Sequence, residues 1–374
     1  MKILIKTLPL FSGNNGGILQ ALALQKAVNH LGHIAITDAP HKFKVSWRTP
    51  IRFALDVIRA RGFDGVLDPI SRNKILSKCS VFIEENIKTI DLFNDRKKPS
   101  AKKLGGWEMF LVGSDQVWRA KYCSVEDYFF HFLMSDPRPR VSYAASFGVD
   151  PKLEYSSKQL KEAGMSLKKF SAISVRERNG VEILEQQFDL SAVQVLDPTL
   201  LWTSEFYDGI LSKYPSSSSK AFILSLFLDE TVLTEKISES FSLEKSKKLV
   251  KFYTREPKNL FEFFSEPDTF TLPSPAEWLS AIKNAEFVLT DSFHATVFCI
   301  IYRVDFLVIP NESRGPDRLK SLLSDLGLSE RILDNGFIPG ISNWDIDWDD
   351  VEKKLKPKRL ESWNFLKNSL GYKK

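Results

Sequence analysis

The sequence predicts an α/β protein: two Rossmann-like parallel sheets facing each other across a cleft, followed by a helical tail. Three observations carry that expectation. Short apolar runs alternate with amphipathic helical stretches in both halves, a proline followed by four serines (215–219) separates them, and 374 residues are too many for one ordinary core.

Residues 2–8 form a short apolar strand, 12–17 are turn chemistry, and 18–31 are apolar at helical spacing before the stop at Gly32, the first half of a βαβ unit. Residues 41–103 are basic and loosely helical, with Phe53, Val57 and Ile58 on one face. Strands are expected at 109–112, 140–144, 172–175 and 192–196, with a helix at 177–187. The segment 214–220 cannot pack a core and reads as the linker, placing a boundary within 205–220. Beyond it the alternation resumes: strand 221–228, helix 230–241, strand 248–253, helix 276–284, strand 286–290, helix 295–302, strand 306–309 and helix 317–326. The domains are therefore expected at 1–210 and 220–340. A tail over 341–374, rich in tryptophan (Trp348, Trp363) and interrupted by Pro357, is expected to cross back to the first domain.

Composition narrows the function classes. Hydrophobic residues at 43% and charged residues at 26% fit a soluble globular chain and exclude a disordered one. Cys79, Cys123 and Cys299 stand alone, so neither a disulfide framework nor zinc spacing is present, and no metal is expected. No apolar run reaches the ~20 residues that span a bilayer. The expected location is the cytoplasm, with any membrane contact peripheral, at the inner face, through exposed aromatic and basic side chains. The net charge of +5 is spread along the chain, which argues against nucleic acid and suits an anionic substrate.

Open α/β sheets bind ligands where strands end and helices begin. The strand 286–290 runs into Asp291, Ser292, Phe293 and His294, where Asp291 or Ser292 can cap the next helix and its first N–H groups can receive an anion. The plain alternative is two caps and an interior histidine. At Ser174 to Arg178 a strand again meets a helix. Arg176 there suits bidentate binding of carboxylate or phosphate, against the alternative of a surface Arg–Glu pair. Ser114, Asp115 and Gln116 follow a third strand, where small residues admit a ligand and Asp115 can bind or deprotonate a sugar hydroxyl. Asn15, Gly16 and Gly17 form a fourth candidate, short of any full nucleotide signature. No HExxH, GxSxG or Walker loop occurs.

Seven segments, NNGGILQALALQ (14–25), LVGSDQVW (111–118), SYAASFG (142–148), ISVRERNGVEIL (173–184), VLDPTLLW (195–202), TDSFHATVFCIIY (290–302) and RGPDRLKSLLSDLGLSER (314–331), together resemble the polysaccharide pyruvyl transferase family in their order. The resemblance implies a fold like that of GT-B glycosyltransferases. It also implies transfer of the pyruvyl group of phosphoenolpyruvate to a sugar of a surface polysaccharide or its lipid-linked precursor, as a ketal, with no cofactor beyond that donor. On the family pattern His294 would be the acid, and Arg176 would hold the donor's carboxylate or phosphate or assist the hydroxyl. Studied members carry Arg-Leu-His where this chain has Ser292-Phe293-His294, and Arg314 and Arg318 are the candidates to restore the missing charge. Two other readings stand beside this one. A nucleotide-sugar glycosyltransferase would need a ribose-binding carboxylate, for which Glu277 is the nearest candidate. A non-catalytic sugar- or lipid-carrier-binding partner would not need His294.

Overall fold

The computed structural model describes residues 1–40, 42–60, 67–92, 99, 101–215, 222–252, 257–266, 269–311, 314–333 and 345–371. Seven strands form the first sheet: β1 (Lys2–Lys6), β2 (Ile34–Asp38), β3 (Thr89–Ile90), β4 (Met109–Asp115), β5 (Arg140–Ala145), β6 (Ala172–Val175) and β7 (Val193–Gln194). Their order is β3-β2-β1-β4-β5-β6-β7, every pairing parallel. Four more, β8 (Phe222–Leu226), β9 (Lys248–Lys251), β10 (Phe287–Thr290) and β11 (Asp305–Val308), form a second parallel sheet in the order β11-β10-β8-β9. Five of the six linker residues after Tyr214, Ser216 to Lys220, lie outside the described residues, as do Ala221 and Tyr253 at the edges of expected elements.

Strand order fixes where ligands can approach. In the first sheet the chain winds one way from β1 and the other way from β4, so a crevice opens at the carboxyl ends of those two neighbours. The second sheet reverses likewise between β8 and β10. Six helices build the site or join the halves: α1 (Asn15–His30), α2 (Arg178–Phe188), α3 (Pro275–Asn284), α4 (Phe293–Tyr302), α5 (Asp317–Leu326) and α6 (Trp348–Ser369). Asn14 caps α1 by accepting from Gly17 N at 3.1 Å, and Ser292 caps α4. Both capped ends lie at the crevices.

A continuous apolar core joins the helices of the two halves. Leu19 and Leu22 of α1, Leu279 of α3 and Val297 and Phe298 of α4 share one buried cluster, in which the Tyr207 and Phe298 rings meet edge-on at 4.9 Å. The tail helix spans both sides. Val351 and Leu355 pack into that cluster, whereas Leu366 and Leu370 pack with Ile3, Ile5 and Val141 under the first sheet. Leu196 N donates to Ser362 Oγ at 2.9 Å and Trp363 Nε1 to Leu201 O at 3.1 Å. The expected interruption at Pro357 does not occur. Pro357 and Lys353 are both exposed, so the hydrogen bond that proline removes is on the solvent side, and anchors on either side hold the helix continuous.

Residues 41–103 contain the helices Thr49–Ala60, Pro69–Ile75 and Ser77–Asn86, with the short strand β3 that periodicity did not reveal. On the first of them Phe53 and Val57 are half-buried, whereas Ile58 is exposed.

Candidate active site

Ser114 and Asp115 are not a loop after β4 but its last residues, buried at the switch point of the first sheet. Asp115 takes φ = +78°, a conformation costly for a residue with a Cβ. Ser114 N donates to Gln20 Oε1 at 3.1 Å, and Gln20 Nε2 donates to Thr7 Oγ1 at 2.9 Å, so α1 holds the strand end in place.

From the end of β6, Arg176 reaches across this point with its guanidinium wholly inside the protein. Nη1 donates to Asp197 Oδ2 at 2.9 Å and Nη2 to Asp115 Oδ1 at 3.2 Å, while Nε lies 3.9 Å from Glu177 Oε2. Asp197 also accepts Ser114 Oγ at 3.0 Å, Thr199 Oγ1 at 2.7 Å and Thr199 N at 3.1 Å. Burial pushes the Asp197 carboxyl up, but His294, Arg176 and Thr199 outweigh it and hold the group well below the usual carboxylate range. Burial likewise acts on Asp115 and is overcome by Arg176, His294 and Arg318. Glu177 goes the other way, because its burial exceeds what Arg176 returns at the longer distance.

The second sheet contributes the facing side. His294, in the first turn of α4, is buried, with Nε2 3.7 Å from Asp197 Oδ2 and no hydrogen-bond partner among the described residues. Its ring packs on α1: a Cβ built on Gly16 would lie 2.4 Å from His294 Cβ and 2.5 Å from Nδ1. Glycine is required at 16 by this contact. The Phe293 ring carries two guanidinium groups, that of Arg176 at 4.3 Å and that of Arg318 at 5.6 Å. Arg318, from α5, donates to the carbonyls of Arg314 (2.8 Å) and Gly315 (3.3 Å), and its Nη1 is 3.9 Å from Asp115 Oδ1. Burial and the neighbouring Arg176 lower it to about 10.

His294, Arg176, Arg318, Ser114 and Asp115 are thus brought into one cluster, with Gly16 against it. Other expected residues serve different ends. Asn15 turns away, donating to Pro273 O at 3.3 Å, and Gly17 closes the α1 cap. Ser292 Oγ accepts Ala295 N at 3.4 Å as a helix cap, while Asp291 takes the Leu228 and Asp229 amides. Gln116 Nε2 donates to Arg314 O at 3.1 Å across the crevice. The Arg314 side chain is bound to Asp229, Nε at 2.6 Å and Nη2 at 2.9 Å, so Arg318 and not Arg314 brings charge to the cluster. Glu277 caps α3 and pairs with Lys78 at 2.7 Å, which leaves no free carboxylate for a ribose there. Asp197, the hub, and Phe293, the platform, escaped sequence reasoning. An Asp-Pro-Thr turn looks like an ordinary cap, and Asp197 does cap its turn through Oδ1.

A family model described as polysaccharide pyruvyl transferase matches residues 14–313, from the α1 cap to just short of Arg314. The chain belongs to the polysaccharide pyruvyl transferase family. Every member of the cluster except Arg318 falls within that match. Among curated proteins no relative matches. Solved structures similar to this chain include a UDP-GlcNAc 2-epimerase from Neisseria meningitidis bound to UDP-GlcNAc (10% identity, 99% of each chain covered, TM-score 0.46). A second is a UDP-GlcNAc 2-epimerase from Methanocaldococcus jannaschii in complex with UDP-GlcNAc and UDP (12% identity, 100% of this chain and 99% of that one, TM-score 0.46). A third is the glycosyltransferase SnogD from Streptomyces nogalater (12% identity, 97% and 95% covered, TM-score 0.42). Likenesses at this level say nothing of what the present chain binds. Among the described residues no helix is long and apolar enough to cross a membrane, and no group of three or more His, Cys, Asp or Glu side chains is placed to hold a metal ion.

Proposed function

We propose that the chain transfers the pyruvyl group of phosphoenolpyruvate to two hydroxyls of a sugar in a surface polysaccharide or its lipid-linked precursor, forming a pyruvate ketal. The observation that carries this reading is the convergence of a buried histidine, two guanidinium groups and two carboxylates at the facing switch points of both sheets. Such a set can protonate an enol, bind an anion and accept a hydroxyl proton in one place.

In this mechanism His294 gives a proton to the methylene carbon of the donor, which becomes the methyl group, and positive charge develops at the adjacent carbon. A sugar hydroxyl attacks that carbon and passes its proton to Asp115. The phosphate departs with the oxygen that joined it to carbon, the second hydroxyl takes its place, and the protons released restore His294 and protonate the phosphate. The products are one ketal and one hydrogen phosphate.

Arg318 is the guanidinium suited to receive the donor, since its nearest carboxylate is 3.9 Å away and its charge is only loosely balanced. Arg176, locked between Asp197 and Asp115, positions those carboxylates. Asp197 in turn orients His294, whose Nε2 lies 3.7 Å from its Oδ2. These roles differ from the family pattern, in which the first-sheet arginine holds the donor's carboxylate or phosphate or assists the hydroxyl.

The test is phosphate release from phosphoenolpyruvate in the presence of a panel of free and lipid-linked oligosaccharides, with His294→Ala in parallel. Acceptor-dependent release lost in His294→Ala supports the reading. Thermal stabilisation by a nucleotide sugar but not by phosphoenolpyruvate would remove it.

A further inference from the structure

The helix Thr49–Ala60 carries an apolar outer face. Ile51, Leu55 and Ile58, spaced as one stripe of a helix, are 56%, 47% and 70% exposed, and Trp47 just ahead of the helix is 75% exposed. Single apolar side chains on a surface are ordinary, but a continuous stripe with an indole at its end marks a face that a partner covers. The other face is turned to the protein, since Phe53 and Val57 are half-buried.

Arginines border the stripe. Arg48, Arg52 and Arg59 fall on the adjoining line of the helix, and all three are exposed. Arg59 lies 3.8 Å from Asp56, the one acidic residue of the helix, whereas Arg48 and Arg52 form no ion pair among the described residues. The Arg48 guanidinium sits over the Trp47 ring at 4.8 Å. Lysines further back are neutralised, Lys42 by Glu84 and Lys44 by Asp91. Ahead of the helix, Phe43 N donates to Asn73 Oδ1 at 2.8 Å, Asn73 Nδ2 donates back to Phe43 O at 2.9 Å, and the Phe43 ring meets that of Phe11 at 4.6 Å. Phe11 belongs to the turn Leu10–Ser12 between β1 and α1, so the helix is anchored at the carboxyl end of β1, where the crevice of the first sheet opens.

We propose that this face docks on an anionic lipid surface, with Trp47, Ile51, Leu55 and Ile58 entering the boundary between headgroups and acyl chains and the arginines meeting lipid phosphates. Twelve residues measure about 18 Å, too short to cross a bilayer but enough to lie along its interface. Indoles gather at that depth, and guanidinium groups bind phosphate and are drawn to an anionic leaflet. A second copy of this chain would instead set the same arginines against each other, which disfavours self-association through this face. Docking needs neither donor nor acceptor, so it stands apart from the transfer reading.

Co-sedimentation of the full chain with vesicles tests the proposal, with equal parts phosphatidylglycerol and phosphatidylcholine in one arm and phosphatidylcholine alone in the other. Binding is expected in the first arm, weakened by salt, and little in the second. Arg48→Ala with Arg52→Ala should weaken it on the order of thirtyfold, the loss of two cations from an anionic surface. Ile51→Gln with Ile58→Gln should weaken it on the order of tenfold or more and keep the helix, because glutamine is a good helix former. Two controls remove like groups elsewhere: Lys168→Ala with Lys169→Ala, both exposed, and Leu243→Gln, at a position 79% exposed on the helix Val232–Lys245. Both should bind as the parent does. Every changed side chain is exposed, so folding is not at stake in any variant. The proposal is overturned if the mixed vesicles do not bind the parent, or if the helix variants bind like the controls. It is equally overturned if sedimentation equilibrium finds a dimer that Ile51→Gln with Ile58→Gln dissociates, which would give the face to a second copy.

Discussion

Replacing Gly16 by alanine adds one methyl group and tests whether His294 must sit where the structure places it. The new Cβ would stand 2.4 Å from His294 Cβ and Cγ. Carbon atoms in contact keep about 3.5–4.0 Å apart, so the ring has to retreat by more than about 1 Å. The far side is closed: Nε2 already lies 3.7 Å from Asp197 Oδ2, and Arg176 and Thr199 fix that carboxylate. Overpacking of this kind costs about 1–3 kcal/mol. The intrinsic preference of a helix for alanine over glycine returns about 0.5–1 kcal/mol, so a net loss of stability is expected. Misplacing a catalytic group by about 1 Å costs on the order of a hundredfold in rate. Gly17→Ala is the matched control, because its Cβ would meet only the Asn14 side chain, at 3.4 Å and beyond. Thermal unfolding and acceptor-dependent phosphate release on both variants form the assay. Gly16→Ala should melt lower and turn over on the order of a hundredfold slower, while Gly17→Ala should match or exceed the parent in stability and retain activity. Equal melting and equal turnover in the two variants would refute the packing argument.

Electrostatics and burial lead to three further outcomes. Arg318→Ala should abolish thermal stabilisation by phosphoenolpyruvate whereas Arg314→Ala should largely keep it, since only Arg318 faces the cluster; the reverse order would reassign the donor contact. The Asp115 and Asp197 carboxyls lie below their ordinary values when folded, so the stability they contribute is present above about pH 4 and lost as pH falls below it. Glu177 and Asp291, raised by burial, have the opposite slope, so the comparison to make is between parent and Asp197→Asn. The variant should show a shallower loss of melting temperature between pH 5 and 3, both ends being measured by calorimetric scanning. Burial pushes the Cys79 and Cys123 thiols up to about 12, and Cys299 is raised well above its ordinary value. Mass spectrometry after iodoacetamide treatment of the folded protein at pH 8 should therefore find all three unmodified, and rapid alkylation of any one would contradict its placement.

Much of this architecture was legible because buried parallel strands leave a simple mark. β4, β5, β6 and β10 are apolar runs between turn residues, and α5 was expected over the residues it occupies. β2 and β3 were not. Ile34 begins a strand of five residues whose burial alternates incompletely, and Thr89 one of only two residues inside the basic stretch, so neither shows a clear period. In the site, His294, Arg176 and Asp115 could be singled out because each chemically distinctive side chain lies at a strand's carboxyl end or just beyond it. The direction each one faces could not. Arg314 and Arg318 are equivalent on paper, and only the position of Asp229 separates them. Asp197 was hidden because a capping aspartate and a hub carboxylate have the same local signature, and its second role depends on Arg176 and His294, which are far from it in sequence.

Because His294 rides on one sheet and Asp197 on the other, their alignment is set by the seam between the halves. Along that seam Arg178 meets Asp325 at 3.0 Å, Asn179 meets Asp317 at 3.1 Å and Gln194 meets Ser321 at 3.1 Å, and none of these side chains belongs to the cluster itself. On the proposed mechanism, turnover would then depend on this row of polar clasps, and a lesion there would slow the reaction while every side chain of the cluster stayed intact.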